Sequence, residues 1–121
     1  MAKNILIVDD SSAIRQSVGF VLEQAGFAVV QASDGVEALA KLGGQAFDLI
    51  VTDVNMPNMN GIELTKNVRK TDKHKFTPVI MLTTESQAGM MQEGKAAGAT
   101  GWIVKPFDAD KLLGVVKKLL G

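Results

Sequence analysis

The stretch Phe47-Asp48-Leu49-Ile50-Val51-Thr52-Asp53-Val54-Asn55-Met56-Pro57 limits the possible folds more than any other. Its apolar, β-branched run is too short for an amphipathic helix and too uniformly apolar for a strand with one wet face. It therefore predicts a strand buried on both sides. The run stops at a carboxylate. Asp53 falls where the strand leaves the sheet, and in open parallel sheets that edge is where ligands bind. Three other runs follow the same pattern. Ile5-Leu6-Ile7-Val8 ends at Asp9-Asp10, Val79-Ile80-Met81-Leu82 at Thr83-Thr84, and Gly101-Trp102-Ile103-Val104 at Lys105-Pro106-Phe107. Ala28-Val29-Val30-Gln31-Ala32 is less apolar and suits a strand nearer an edge.

Helical segments fill the intervals. Ser11 and Ser12 offer N-cap hydroxyls to a helix whose face is Ile14, Val18, Val21, Leu22 and Ala25, stopped by Gly26. Asp34 and Glu37 have capping-box spacing and open a helix through Ala38, Leu39 and Leu42 that Gly43-Gly44 is expected to end. Asn60 and Glu63 repeat the spacing after a turn-prone loop, and Arg69-Lys70 place cations at the helix end, where the macrodipole favours them. In the polar linker Thr71 to Thr77, His74 lies between Lys73 and Lys75 and reads as a solvated side chain. Glu85 to Ala99 is the weakest helix, because Gly89, Gly94 and Gly98 each cost about 1 kcal/mol relative to Ala. It is expected to be the most deformable element. Asp108 can cap a final helix with an apolar stripe at Leu112, Val115, Val116, Leu119 and Leu120.

Strands alternating with helices through short links predict an α/β fold: a five-stranded parallel sheet, order 2-1-3-4-5, flanked by five helices, flavodoxin-like. At 121 residues there is room for one domain, spanning 1-121. With the first strand central, the strand ends bring Asp9, Asp10 and Asp53 together, with Thr83 and Lys105 facing them. Thirteen basic and thirteen acidic residues cancel, so no overall field draws the chain to nucleic acid or to a membrane, and partners must be chosen by a local surface. The absence of cysteine excludes thiolate metal sites and cysteine nucleophiles. Four apolar residues before Asp9 are too few for a signal-peptide core, and no run approaches a membrane span, so a cytoplasmic location is expected.

Three crowded carboxylates either take up protons or bind a cation. Oxygen ligands without His or Cys point to a hard ion, and few carboxylates with room for water suit Mg²⁺ better than Ca²⁺. A bound Mg²⁺ would let a phosphoryl group approach Asp53, whose carboxylate can act as a nucleophile. Lys105 can pair with a phosphoryl oxygen and the Thr83 hydroxyl can donate to one.

Asp9-Asp10, Asp53 within Asp53-Val54-Asn55-Met56-Pro57, Thr83 and Lys105-Pro106-Phe107 together resemble the receiver domain of two-component response regulators, most closely the stand-alone chemotaxis type. The resemblance runs from Lys3 to the end of the chain. It implies that Asp53 accepts a phosphoryl group from a phosphohistidine on a sensor histidine kinase. Asp10, Asp53 and the backbone carbonyl of Asn55 would ligate Mg²⁺, with Asp9 in support, and the Lys105-Pro106 bond would be cis. Thr83 and Trp102 would form the switch, with Trp102 in a place more often held by Tyr or Phe. Asn55 and Glu85 would tune hydrolysis of the acyl phosphate. Partners implied are the kinase, a downstream protein such as a flagellar motor switch, and a phosphatase. The binding face would be formed by the fourth helix, fifth strand and fifth helix. The chain would be a phosphoacceptor switch with self-catalysed phosphotransfer and autodephosphorylation rather than an enzyme.

Three rival functions share parts of this pattern. A haloacid-dehalogenase-type Mg²⁺-dependent phosphatase needs a general acid two residues after its Asp nucleophile, and Asn55 cannot protonate a leaving group. A flavodoxin-like cofactor binder would need hydroxyls and amides where this chain has Asp9-Asp10. A phosphorylation-independent interaction module is the remaining alternative.

Overall fold

The computed structural model describes residues 3–84 and 89–120. The chain alternates without interruption: β1 (Asn4–Val8), α1 (Ser12–Gln24), β2 (Ala28–Ala32), α2 (Gly35–Gly44), β3 (Leu49–Asp53), α3 (Gly61–Arg69), β4 (Val79–Thr83), α4 (Met91–Ala97), β5 (Gly101–Val104) and α5 (Ala109–Leu120). The strands form one parallel sheet in the order β2-β1-β3-β4-β5, as expected from the apolar runs. β3 and β4 are buried throughout, whereas β2 is buried only at Ala32, which fits its edge position.

Alternation along the strands builds a core on each face. Ile5, Ile7, Leu49, Val51, Ile80 and Leu82 join Val18 and Leu22 of α1 with Leu112 and Val116 of α5. Leu6, Val8, Ile50 and Val79 point the other way, against Ala38 and Leu42 of α2 and Leu64 and Val68 of α3. Each large aliphatic side chain buried this way contributes about 1.5–3 kcal/mol. A smaller cluster of Val54, Ile62, Met81 and Ala97, with Trp102 packed on it, seats α4.

The helix starts follow the sequence signals. Ser11, Asp34 and Asn60 side chains accept from the backbone N–H three residues on, at 3.3, 2.8 and 2.8 Å. Asp108 Oδ1 accepts from Asp110 N–H at 2.8 Å. Glu37 returns its bond to Ser33 N–H rather than to Asp34. Two boundaries differ from expectation. α2 continues through Gly43 and Gly44 and is capped by Gln45 in an extended conformation. Within the described residues α4 covers Met91–Ala97, so its expected first turn at Glu85 lies outside them. The Lys105-Pro106 bond is cis.

His74 corrects the sequence expectation. It is fully buried rather than solvated. Phe47 N–H donates to its Nε2 at 3.1 Å, and the two rings lie 6.3 Å apart. A strand start needs an acceptor for that amide, and the imidazole supplies one from across the fold. Nearby, the Arg69 guanidinium donates to the carbonyls of His74, Thr77 and Gly98 at 3.3, 2.7 and 2.7 Å. It thereby joins the α3–β4 linker to the end of α4. Among the described residues no helix is long and apolar enough to cross a membrane.

Candidate functional site

β1 and β3 are hydrogen-bonded neighbours, Val8 opposite Thr52, so the residues that end them emerge side by side. Asp53 is the last residue of β3 and is almost entirely buried. Asp9 follows β1 and is 1% exposed, whereas Asp10 points to solvent. The three carboxylates can each bring one oxygen to within 4.8 Å of the others. That is the crowding expected from the sequence.

Lys105, just past β5, answers this charge. Its Nζ lies 3.0 Å from Asp9 Oδ2 and 3.3 Å from Asp53 Oδ1. Asp9 Oδ1 also accepts from Ser11 N–H at 2.9 Å, so both of its oxygens are engaged. Asp53 Oδ1 accepts from Val54 N–H at 2.9 Å as well. The contacts described for Asp53 fall on Oδ1, which leaves Oδ2 for an incoming electrophile.

The electrostatics of the two partners differ, and the difference has a cause. Burial pushes the Asp53 carboxyl above its usual range; the Asp9 charge pushes the same way, and Lys105 and the Val54 N–H offset only part of it. For Lys105, burial opposes the ammonium, yet the Asp9 hydrogen bond and the charges of Asp53 and Asp9 outweigh it, so its pKa rises. One ammonium faces two carboxylates, whereas Asp53 faces one ammonium and one carboxylate. The ammonium is secured and the acceptor is left short of positive charge.

Thr83 ends β4, buried, and its Oγ1 donates to the Thr84 carbonyl at 3.2 Å. Asn55 is exposed two residues beyond Asp53, and Glu85 lies outside the described residues. Trp102 is partly buried, with its Cα opposite Met81.

Two contributors escaped the sequence reading. Gly61 closes the turn-prone loop before α3; its N–H donates to Val54 carbonyl at 2.8 Å, and a Cβ there would overlap the carbonyl oxygen of Asp53. The start of α3 thus packs directly against the backbone of the acceptor. Arg15 donates to the Asp9 carbonyl at 2.6 Å; a lone Arg inside a helix gave no signal for this.

The response regulator receiver domain model matches residues 5–117. The chain belongs to this family. Among its relatives, chemotaxis protein CheY-3 of Vibrio cholerae is 47% identical over 109 residues, which span 89% of this chain and 84% of that protein. The solved structure of chemotaxis protein CheY4 of V. cholerae is 51% identical, with a TM-score of 0.94, covering 99% of this receiver domain and all of that chain. The receiver domain of sensor histidine kinase PA1611 from Pseudomonas aeruginosa PAO1 was solved with a magnesium ion coordinated in its active-site cleft. It is 25% identical with a TM-score of 0.92, covering all of this chain and 99% of that one. This receiver domain is thus of the CheY type, and its acidic cluster lies at the ends of β1 and β3.

Proposed function

We propose that this receiver domain is a phosphorylation-activated signalling switch: Asp53 takes a phosphoryl group from a sensor-kinase phosphohistidine, and the domain then changes affinity for a downstream protein. The observation that carries this is the Lys105 ammonium within hydrogen-bonding reach of both Asp9 and Asp53, beside an exposed third carboxylate. The all-oxygen donor set fits Mg²⁺. Asp10 and Asp53 would hold it with the Asn55 backbone carbonyl, and Asp9 would support them. When bound, the ion neutralises carboxylate charge and polarises phosphoryl oxygens.

The residues supply the rest. Oδ2 of Asp53 attacks phosphorus, the P–N bond of the donor breaks, and its electron pair returns to the imidazole, which takes a proton. Lys105 holds the acceptor oriented and offers its ammonium to a phosphoryl oxygen. The Thr83 hydroxyl turns toward the new anion. Hydrolysis by water returns Asp53 and inorganic phosphate, with Asn55 and Glu85 orienting that water, so the domain catalyses only its own turnover. Output through α4, β5 and α5 is supported by a groove of 480 Å³ between β5 and α5, lined by Trp102, Val104, Pro106, Lys111 and Val115, and by a smaller one between α4 and β5 lined by Met91, Lys95 and Thr100. In the larger groove Val104 leaves 41% of its surface in water. We place the protein in the cytoplasm with its kinase.

Incubation with Mg²⁺ and a small acyl-phosphate donor, read by intact mass, tests this. Wild type should gain one phosphoryl group, a gain abolished when a chelator is present from the start, and Asp53→Asn should gain none. Equal uptake by that variant would remove Asp53 as the acceptor, and partner affinity unchanged by Asp53→Asn or by phosphorylation would favour a plain interaction module instead.

A further inference from the structure

Of the glycines in and beside α4, Gly98 is explained by its left-handed φ of 109° at the helix end. Gly94 is not. It lies buried inside α4, where glycine weakens a helix relative to alanine. A Cβ at that position would stand 2.7 Å from Cζ3 of Trp102 and 3.3 Å from Sδ of Met81. The first distance is shorter than packed carbon atoms allow, and the atom it meets belongs to the rigid indole.

Among the described residues the indole has no polar anchor. Its Nε1 is buried and, among the described residues, has no hydrogen-bond partner. An unsatisfied buried donor disfavours the position it occupies. Among the described residues, packing against the cluster of Val54, Ile62, Met81 and Ala97 and against the open face of Gly94 holds the ring where it is. Shape alone decides.

We infer that Gly94 is a positioning residue for Trp102: the missing side chain is the seat that lets an indole, rather than a smaller ring, sit between α4 and β5. The seat makes α4 and the aromatic a size-matched pair, so neither can be exchanged without the other. That this pairing sets the response to phosphorylation rests on the proposed function; the seat itself does not.

Trp102 is the single tryptophan, so its emission reports the seat directly. Without phosphodonor, Gly94→Ala should red-shift that emission and raise the acrylamide quenching constant about twofold, because overpacking drives the half-buried ring into water. A variant as shielded as wild type would overturn the inference. A double-mutant cycle provides the second arm. Gly94→Ala should lower the melting temperature when Trp102 is present and raise it in Trp102→Phe, where the smaller ring makes room and helix propensity prevails. The same sign in both backgrounds would mean that Gly94 acts on the helix alone, and would also overturn the inference. Adding Mg²⁺ and beryllofluoride separates the two claims. If the first two arms succeed but the emission of wild type does not respond, the seat stands and the role of Asp53 as trigger falls.

Discussion

The two edges of the sheet treat buried polar groups in opposite ways. At the carboxyl edge, Asp9, Asp10 and Asp53 crowd together, one ammonium answers Asp9 and Asp53, and Asp53 is left with its ionised form disfavoured. At the amino edge, His74 is buried but neutral and accepts a backbone bond, while Arg69 spends its donors on three carbonyls. Burial pushes the His74 pKa down, and Lys73 adds to that effect. The amino edge pairs its cation within the chain, although His74 Nδ1 finds no partner among the described residues. The carboxyl edge leaves a deficit of positive charge that an arriving cation and phosphoryl group can make good.

Breaking the ammonium should have the largest effect. Lys105→Met should slow phosphoryl uptake about 100-fold, as loss of one preorganised cationic donor does, in a time course read by intact mass. At the opposite edge, Arg69→Ala should cost about 2–3 kcal/mol by leaving carbonyls without a charged donor. Urea unfolding measures that loss. Phosphorylation of the folded fraction should continue at the wild-type rate. A kinetic defect as large as that of Lys105→Met would erase the distinction between the edges.

Smaller effects sharpen the contrast. A carboxyl whose pKa is raised by folding favours the folded state only while protonated, so ionised Asp53 costs stability near neutrality, and the cost disappears below its ordinary pKa of 3.8. Asp53→Asn should therefore raise the melting temperature by a few degrees at pH 7 without Mg²⁺. The gain should shrink toward pH 4, and added Mg²⁺ should stabilise wild type alone. His74 has the opposite sign. Its pKa is depressed below 6.5 in the fold, so the unfolded chain takes the proton first, and stability present above pH 6.5 is lost as pH falls. One proton allows at most about 1.4 kcal/mol per pH unit. His74→Gln, whose amide oxygen can still accept from Phe47, should flatten that part of the curve in denaturation measured from pH 7.5 to 5.

Much of this arrangement is legible in sequence, and the exceptions have physical causes. The strands announce themselves because burial on both faces demands uninterrupted apolar runs, and the carboxylates because each ends such a run. The caps at Ser11, Asp34 and Asn60 are local chemistry and read correctly. His74 was misread because its setting is decided by a contact with Phe47, 27 residues away, and no local pattern records that distance. The place of Gly61 beside Asp53 and of Gly94 beside Trp102 was hidden for a related reason. A glycine says that space is scarce or the backbone unusual, but not which neighbour takes the space. Glu85 lies outside the described residues, and the structure adds nothing to its expected role.

The contact between Gly61 and the Asp53 carbonyl bears on anyone who would tune this domain by directed evolution. A saturation library at that codon should return only its parent, since even one methyl group would have to displace main chain at the acceptor. Faster or slower variants will have to be sought at positions other than Gly61.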